Sequence, residues 1–238
     1  MSLKVVVLTT ETTHHLYFVW KLSQRFLLSG IFLETRSLKP SFETSHPFEN
    51  LRDEYERDEL LKGCNGTCGD FANTYSFDSV NNDECVTVLQ SIRPDVVIVF
   101  GTGKIKPPVI GVPKIACLNL HGGNPEHYRG LDNHLWAIYH QDFNNLVTTL
   151  HYVDVELDTG DIIFQSRVPI IKKNRLFELR SINAQVCVDL SSLALQGLDV
   201  DGCLPSRRQT MLGRYYSFMP APLKEDCVKK FEKHTERL

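Results

Sequence analysis

The sequence predicts an α/β fold, a twisted sheet with helices on both faces, followed by a small C-terminal strand-and-helix appendage. Three observations predict it. Short apolar runs rich in β-branched residues, such as Val5-Val6-Val7-Leu8 and Val96-Val97-Ile98-Val99, read as buried strands. Segments of helical periodicity alternate with those runs, the order of a sheet wound on both faces. Past about residue 200 the pattern changes to one short aromatic strand and one charged helix.

The elements follow in order. Residues 5–9 form the first strand. Thr12 and Thr13 can cap the next helix, whose apolar stripe is Leu16, Val19, Trp20, Leu22, Phe26 and Leu27. A second strand is expected at 30–34. Residues 37–83 are less regular: a charged helix over 48–62 leads into a polar surface loop, 63–82, with short structure inside it. An amphipathic helix over 84–92 stops at Pro94, and 96–100 is a strongly apolar strand. Further strands are expected over 114–120, 147–155 and 162–170, with helices over 131–140 and 176–195. In the last segment 214–219 is strand-like, Pro220-Ala221-Pro222 is a break, and 224–236 is a charged amphipathic helix. The alternation describes a Rossmann-like sheet, with residues 1–200 as the main domain and 201–238 as the appendage.

Composition narrows the class. Charges of both signs are interspersed and sum to −3, so no overall basic field points to nucleic acid. No apolar run approaches the ~20 residues of a membrane span, and no secretory signal precedes the first strand. The seven cysteines stand singly apart from Cys64 and Cys68. That pattern is not a disulfide framework, and reduced thiols in the cytoplasm are expected. Cys64 and Cys68 lack a second ligand pair nearby, so no metal is expected. The sequon Asn65-Gly66-Thr67 reads as accidental.

Two glycine and histidine features are ambiguous on their own. Gly101-Thr102-Gly103-Lys104 fails as a phosphate loop, because Ile105 follows the lysine and no glycine stands at the required position before it. These glycines make either a tight turn or a bare wall of a ligand site at the carboxyl end of the sheet. His14 and His15, at the first strand-to-helix turn, are either surface residues or ligand contacts.

The segment richest in chemistry is Asn119-Leu120-His121-Gly122-Gly123-Asn124-Pro125-Glu126-His127-Tyr128-Arg129-Gly130. Asn119 and His121 are two apart on a strand, so they share a face and can converge on one small group. Leu157-Asp158-Thr159-Gly160-Asp161 is an acidic turn between two strand-like runs, placed to return a carboxylate to the histidine.

Asn-x-His, then Tyr-Arg-Gly, then a strand leading into Glu-Leu-Asp-Thr-Gly-Asp-Ile resembles the folate-dependent formyltransferase family over residues 94–170. Where many members carry Pro-Ser-Leu-Leu-Pro after the histidine, this chain has Gly122-Gly123-Asn124-Pro125-Glu126. That version is most similar to the members that formylate nucleotide-linked amino sugars, among them GDP-perosamine N-formyltransferases. The tail Gly213-Arg214-Tyr215-Tyr216-Ser217-Phe218-Met219-Pro220 is similar to that subgroup too.

The resemblance implies a catalytic trio of Asn119, His121 and Asp158, with His151 as a further histidine beside the acidic turn. It implies N10-formyltetrahydrofolate as co-substrate, bound along Lys104, Ile105, Lys106, Asp154, Val155, Glu156, Leu157 and Asp158. It implies as acceptor the 4-amino group of a nucleotide-linked 4-amino-4,6-dideoxy sugar, GDP-perosamine or dTDP-4-amino-4,6-dideoxyglucose, for O-antigen-type glycans. His14, His15, Gly122, Gly123, Tyr128, Arg129 and Trp136 are the expected acceptor contacts. The alternatives are another amine, such as glycinamide ribonucleotide or methionyl-tRNA, or a non-catalytic nucleotide-sugar or folate-binding module. No nucleic-acid or membrane partner is expected. A homodimer is, joined by the C-terminal segment, with the last helix packing across the interface through Cys227, Val228 and Phe231.

Overall fold

The computed structural model describes residues 3–238. The first two positions of the N-terminal reading lie outside them. Among the described residues nine strands form: β1 (Val5–Thr9), β2 (Leu28–Glu34), β3 (Thr74–Phe77), β4 (Val96–Val99), β5 (Ala116–His121), β6 (Tyr128–Gly130), β7 (Val147–Tyr152), β8 (Ile162–Arg167) and β9 (Arg214–Tyr216). The helices are α1 (Thr13–Ser23), α2 (Pro47–Tyr55), α3 (Asp83–Ile92), α4 (Pro107–Ile110), α5 (Asn133–Tyr139), α6 (Leu179–Asp201) and α7 (Ala221–Thr235). Seven strands make one sheet in the order β3-β2-β1-β4-β5-β7-β8. The first five pair in parallel, and β7 and β8 are antiparallel additions.

Period-2 geometry sorts the apolar runs onto two faces. Val5, Val7 and Ile98 pack with Phe18 and Leu22 of α1 and Leu195 of α6. Val6, Leu8, Val97 and Val99 pack with Cys85 and Leu89 of α3 and Val109 of α4. Helices therefore cover both faces, and the runs are apolar throughout because neither face meets water. The strand order reverses between β1 and β4, and a ligand crevice opens outside the carboxyl ends of strands at such a reversal.

Several local expectations are corrected. Helix α1 stops at Ser23, and Leu27 is 79% exposed, so the stripe ends earlier than its apolar spacing suggested. The polar stretch 63–82 holds the edge strand β3. The charged helix is α2 followed by a wider π-helical turn, Glu56–Leu60. The tail strand β9 pairs in parallel with β6 to make a separate two-stranded ribbon. Cys227 and Phe231 of α7 are fully buried inside the same chain, in a third core with Tyr128, Ile138 and Met219. Those two side chains are thus covered without a second subunit.

Candidate active site

Strand β5 carries Asn119 and His121 to the carboxyl edge of the sheet, and β7 runs back beside it so that His151 stands opposite Asn119. His151 Nδ1 donates to the Tyr152 carbonyl at 2.7 Å. The Asn119 amide Nδ2 lies 3.1 Å from His151 Nε2.

Asp158 comes from the acidic turn in a left-handed backbone conformation, φ 56°, which aspartate tolerates better than most side chains. Its Oδ1 lies 3.4 Å from His121 Nδ1 and 3.7 Å from His151 Nε2. Its Oδ2 accepts from the Gly130 N–H at 2.9 Å. Both His121 and Asp158 are buried. Burial works against the Asp158 charge, but the facing His121, the contact with His151 and the Gly130 N–H outweigh it. The carboxyl is held well below the usual carboxylate range. His121 Nε2 sits 2.9 Å from the Tyr128 carbonyl. Both of its ring nitrogens therefore face oxygen acceptors.

A short ribbon locks these groups together. Arg129 donates twice to the Leu157 carbonyl, at 3.0 and 2.7 Å, and Asn133 Nδ2 donates to the Gly130 carbonyl at 2.7 Å. Gly130 has φ +93°, and a side chain there would collide with the Tyr216 carbonyl. Glycine is what lets β9 close on β6 beside Asp158.

A cavity of about 1060 Å³ opens over the trio. Asn119, His121, Asp158, His151, Lys104, Ile105, Asp154, Glu156, Leu157, His14, His15, Gly122 and Arg129 all line it. The other expected residues fall outside its wall, for identifiable reasons. Val155 turns to solvent, 52% exposed. Lys106 starts α4, its N–H bonded to Asn81 Oδ1 at 2.8 Å. Gly123 is tucked beneath His121 and Asn133. The Tyr128 hydroxyl donates to Asp142 at 3.0 Å, and only its carbonyl reaches the site. Trp136 donates to the Ser217 carbonyl at 2.8 Å and packs on Tyr216, anchoring the tail.

The histidine pair is resolved in favour of the cavity. The Thr10 and Thr12 hydroxyls both lie 2.7 Å from His15 Nδ1. Thr12 is thus diverted from the capping bond expected of it. The His14 and His15 rings stand 3.9 Å apart. Burial, with Arg180 nearby, pushes His15 down to about 3. His14 is pushed well below its usual value by burial, then by His15, Arg180 and Arg52. Gly101, φ +86°, leaves no room for a side chain against His15. The glycine turn and the ligand wall are therefore one feature.

The sequence reading missed the wall built from distant segments. Glu56 is fully buried and holds Arg180 through a fork, with His14 Nδ1 3.8 Å away. Arg52, Arg180, Leu38, Tyr215 and Phe218 also line the cavity. Glu56 sits within a charged helix and carries the signature of a surface residue, and its partner is 124 positions away. The π-helical turn that carries Glu56, a distortion common at functional sites, is not visible in sequence. Among the described residues, no group of three or more His, Cys, Asp or Glu gathers as a metal site.

A family model described as formyl transferase matches residues 43–185. The methionyl-tRNA formyltransferase of Halothermothrix orenii is 31% identical over 134 residues, which are 56% of this chain and 42% of that protein. The chain therefore spans less than half the length of that curated relative. Among solved structures, a sugar N-formyltransferase from Shewanella sp FDAARGOS_354 matches with a TM-score of 0.59 at 16% identity, covering 90% of this chain and 76% of the other. Glycinamide ribonucleotide transformylase 1 from Symbiobacterium toebii matches with a TM-score of 0.60 at 17% identity, covering 87% and 94%. At these identities the structural matches speak for the fold alone.

Proposed function

The chain belongs to the formyl transferase family, whose model spans more than half of it, and from that premise we propose that it moves a formyl group from N10-formyltetrahydrofolate to a primary amine. The observation that carries this is the convergence of Asn119, His121 and Asp158 on one cavity wall. The unprotonated amine attacks the formyl carbon, a C–N bond forms, and negative charge collects on the formyl oxygen. The donors for that oxyanion are the Asn119 amide and the His121 Nε2–H, which exchanges the Tyr128 carbonyl for it; a single such donor is worth about 10²–10³ in turnover. Asp158 accepts the amine's proton through water. The bond from the formyl carbon to N10 then breaks, N10 takes up a proton, and tetrahydrofolate leaves beside the formamide.

The cavity suits two substrates. One drug-sized ligand needs roughly 300–1,000 Å³, and this space is about 1060 Å³. The donor would lie along Lys104, Ile105 and the turn from Asp154 to Asp158, all on the cavity wall except Val155.

For the acceptor, the first reading is the 4-amino group of a nucleotide-linked 4-amino-4,6-dideoxy sugar. The run from Gly122 to Gly130 supports it, as does a net charge of −3, which gives no overall field for a polyanion. The second reading is methionyl-tRNA, and the identity of 31% and 36% to two methionyl-tRNA formyltransferases supports it more strongly than any sequence match supports the sugar. Incubation with formyl folate and either a panel of nucleotide amino sugars or charged initiator tRNA separates them. Mass spectrometry reads which amine gains one carbonyl unit. A gain on neither, with folate bound, overturns amine formylation at this site.

A further inference from the structure

The aromatic residues of the tail divide into two sets with different surroundings. On β9, successive side chains point to opposite faces. Tyr216 faces inward: its ring lies 5.5 Å from Tyr128 and 5.0 Å from Trp136, and its hydroxyl is 3.3 Å from His140. Packing explains that ring completely. Tyr215 faces the other way, lines the cavity and is 56% exposed. Among the described residues its ring stacks on no other aromatic side chain. It lies instead against the backbone of Gly130, where a Cβ would come within 2.7 Å of it. That backbone is the one whose N–H holds Asp158 Oδ2. Phe218 lines the same cavity, and so does Leu38, 64% exposed.

A large ring that is seated rigidly beside a catalytic carboxylate, with one open face and no internal stacking partner, is a platform for a second ring. We propose that Tyr215 stacks on a planar ring of the acceptor, its nucleobase, and so is a specificity-determining residue supplied by the C-terminal segment. The inference rests on the acceptor reading above and deepens it. Placement favours acceptor over donor. Tyr215 lies on the Oδ2 side of Asp158, whereas His121 and His151 meet Oδ1. Its companions Phe218 and Leu38 come from segments outside the donor's turns at 104–105 and 154–158. Arg52 and Arg180 line the same cavity, but Glu49 and Asp53 pair with the first and Glu56 and Asp53 with the second, so the ring and not a free cation carries the placement. Stacking tolerates any base, because every base has a π face. The residue thus recognises the class of acceptor and leaves the identity of the base to other contacts.

The test uses the full chain and three forms of it: parent, Tyr215→Ala and Tyr215→Phe. Calorimetry measures binding of GDP, dTDP, UDP and AMP, with ribose 5-phosphate as a probe lacking a base, and separately of a non-reactive formyl-folate analogue. AMP stands for the terminal adenosine of a tRNA, and the diphosphates for nucleotide sugars. Support is a nucleotide bound well above ribose 5-phosphate by the parent, weakened about 10- to 100-fold in Tyr215→Ala. Tyr215→Phe should stay within about threefold of the parent, and folate-analogue affinity should not move. A thermal melt confirms that Tyr215→Ala is folded. Equal nucleotide affinity in parent and Tyr215→Ala overturns the stacking role while leaving the acceptor reading standing. Loss of folate-analogue affinity instead assigns the ring to the donor and overturns it as well. A parent chain that binds folate but none of the nucleotides removes the nucleotide reading itself.

Discussion

His121 is held from two directions, by the Asp158 carboxylate on Nδ1 and the Tyr128 carbonyl near Nε2. Neither contact packs apolar surface, so both aim the ring rather than stabilise the core. His121→Ala should leave the protein folded and lower turnover on the correct acceptor by about 10²–10³. Near-parental turnover in a folded variant would mean that the site is misassigned. Asn119 and His121 were legible because period-2 geometry is a property of sequence alone. Asp158 was legible from its position in an acidic turn between two strands. The partner that fixes its second oxygen was not: Gly130 contributes a backbone N–H, which any residue except proline would also offer. What marks Gly130 is the contact with β9, more than 80 positions on, and no local pattern carries that.

At the scale of elements, the tail is fastened by a carboxylate outside the cavity wall. Glu126 receives both Nη groups of Arg207, at 2.9 and 2.7 Å, and the N–H and hydroxyl of Thr210, at 2.7 and 2.8 Å. The Arg207 bonds lead in pulling its carboxyl down to about 2, against the opposing effect of burial. This clasp ties the segment before β9 to the loop after β5. Hydrogen bonds to charged groups are worth about 1.5–3 kcal/mol each, so Glu126→Gln should loosen the tail without unfolding the sheet. Limited proteolysis checks this: cleavage within 203–213 should accelerate several-fold while the melting midpoint shifts little. Unchanged cleavage would show the clasp to be redundant. Strands β3 and β6 escaped the sequence reading because three or four residues are too few to show a period. The long apolar runs β1 and β4 could not be missed, since burial on both faces leaves no polar position to disguise them.

For the molecule as a whole, acid stability follows from the buried histidines. His14 and His15 have folded values far below those of an unfolded chain. Between roughly pH 6.5 and the lowered values, the unfolded state binds protons that the folded state refuses, so stability rises with pH there. Each histidine contributes up to about 1.4 kcal/mol per pH unit. The urea midpoint should therefore fall from pH 7 to pH 5, above the range where Asp158 and Glu126 begin to lose their own contributions. A flat midpoint over that interval would contradict the burial of the pair. We also propose the homodimer through the segment 214–219, without Cys227 and Phe231 of α7, which are buried within their own chain. Light scattering at micromolar concentration tests it, and a monomer mass sinks it. The doubly covered sheet was legible from alternation, whereas the parallel pairing of β6 with β9 was not. That pairing bears on biosynthesis. The ribosome delivers Asn119, His121 and Asp158 well before Tyr216, and at about 5–20 residues per second the interval is on the order of several seconds. During it the nascent chain already holds all three residues of the proposed trio, but β6, which carries Gly130 beside Asp158, has no partner strand. Vectorial synthesis thus separates in time the arrival of those side chains from the strand pairing that fixes the ribbon beside them.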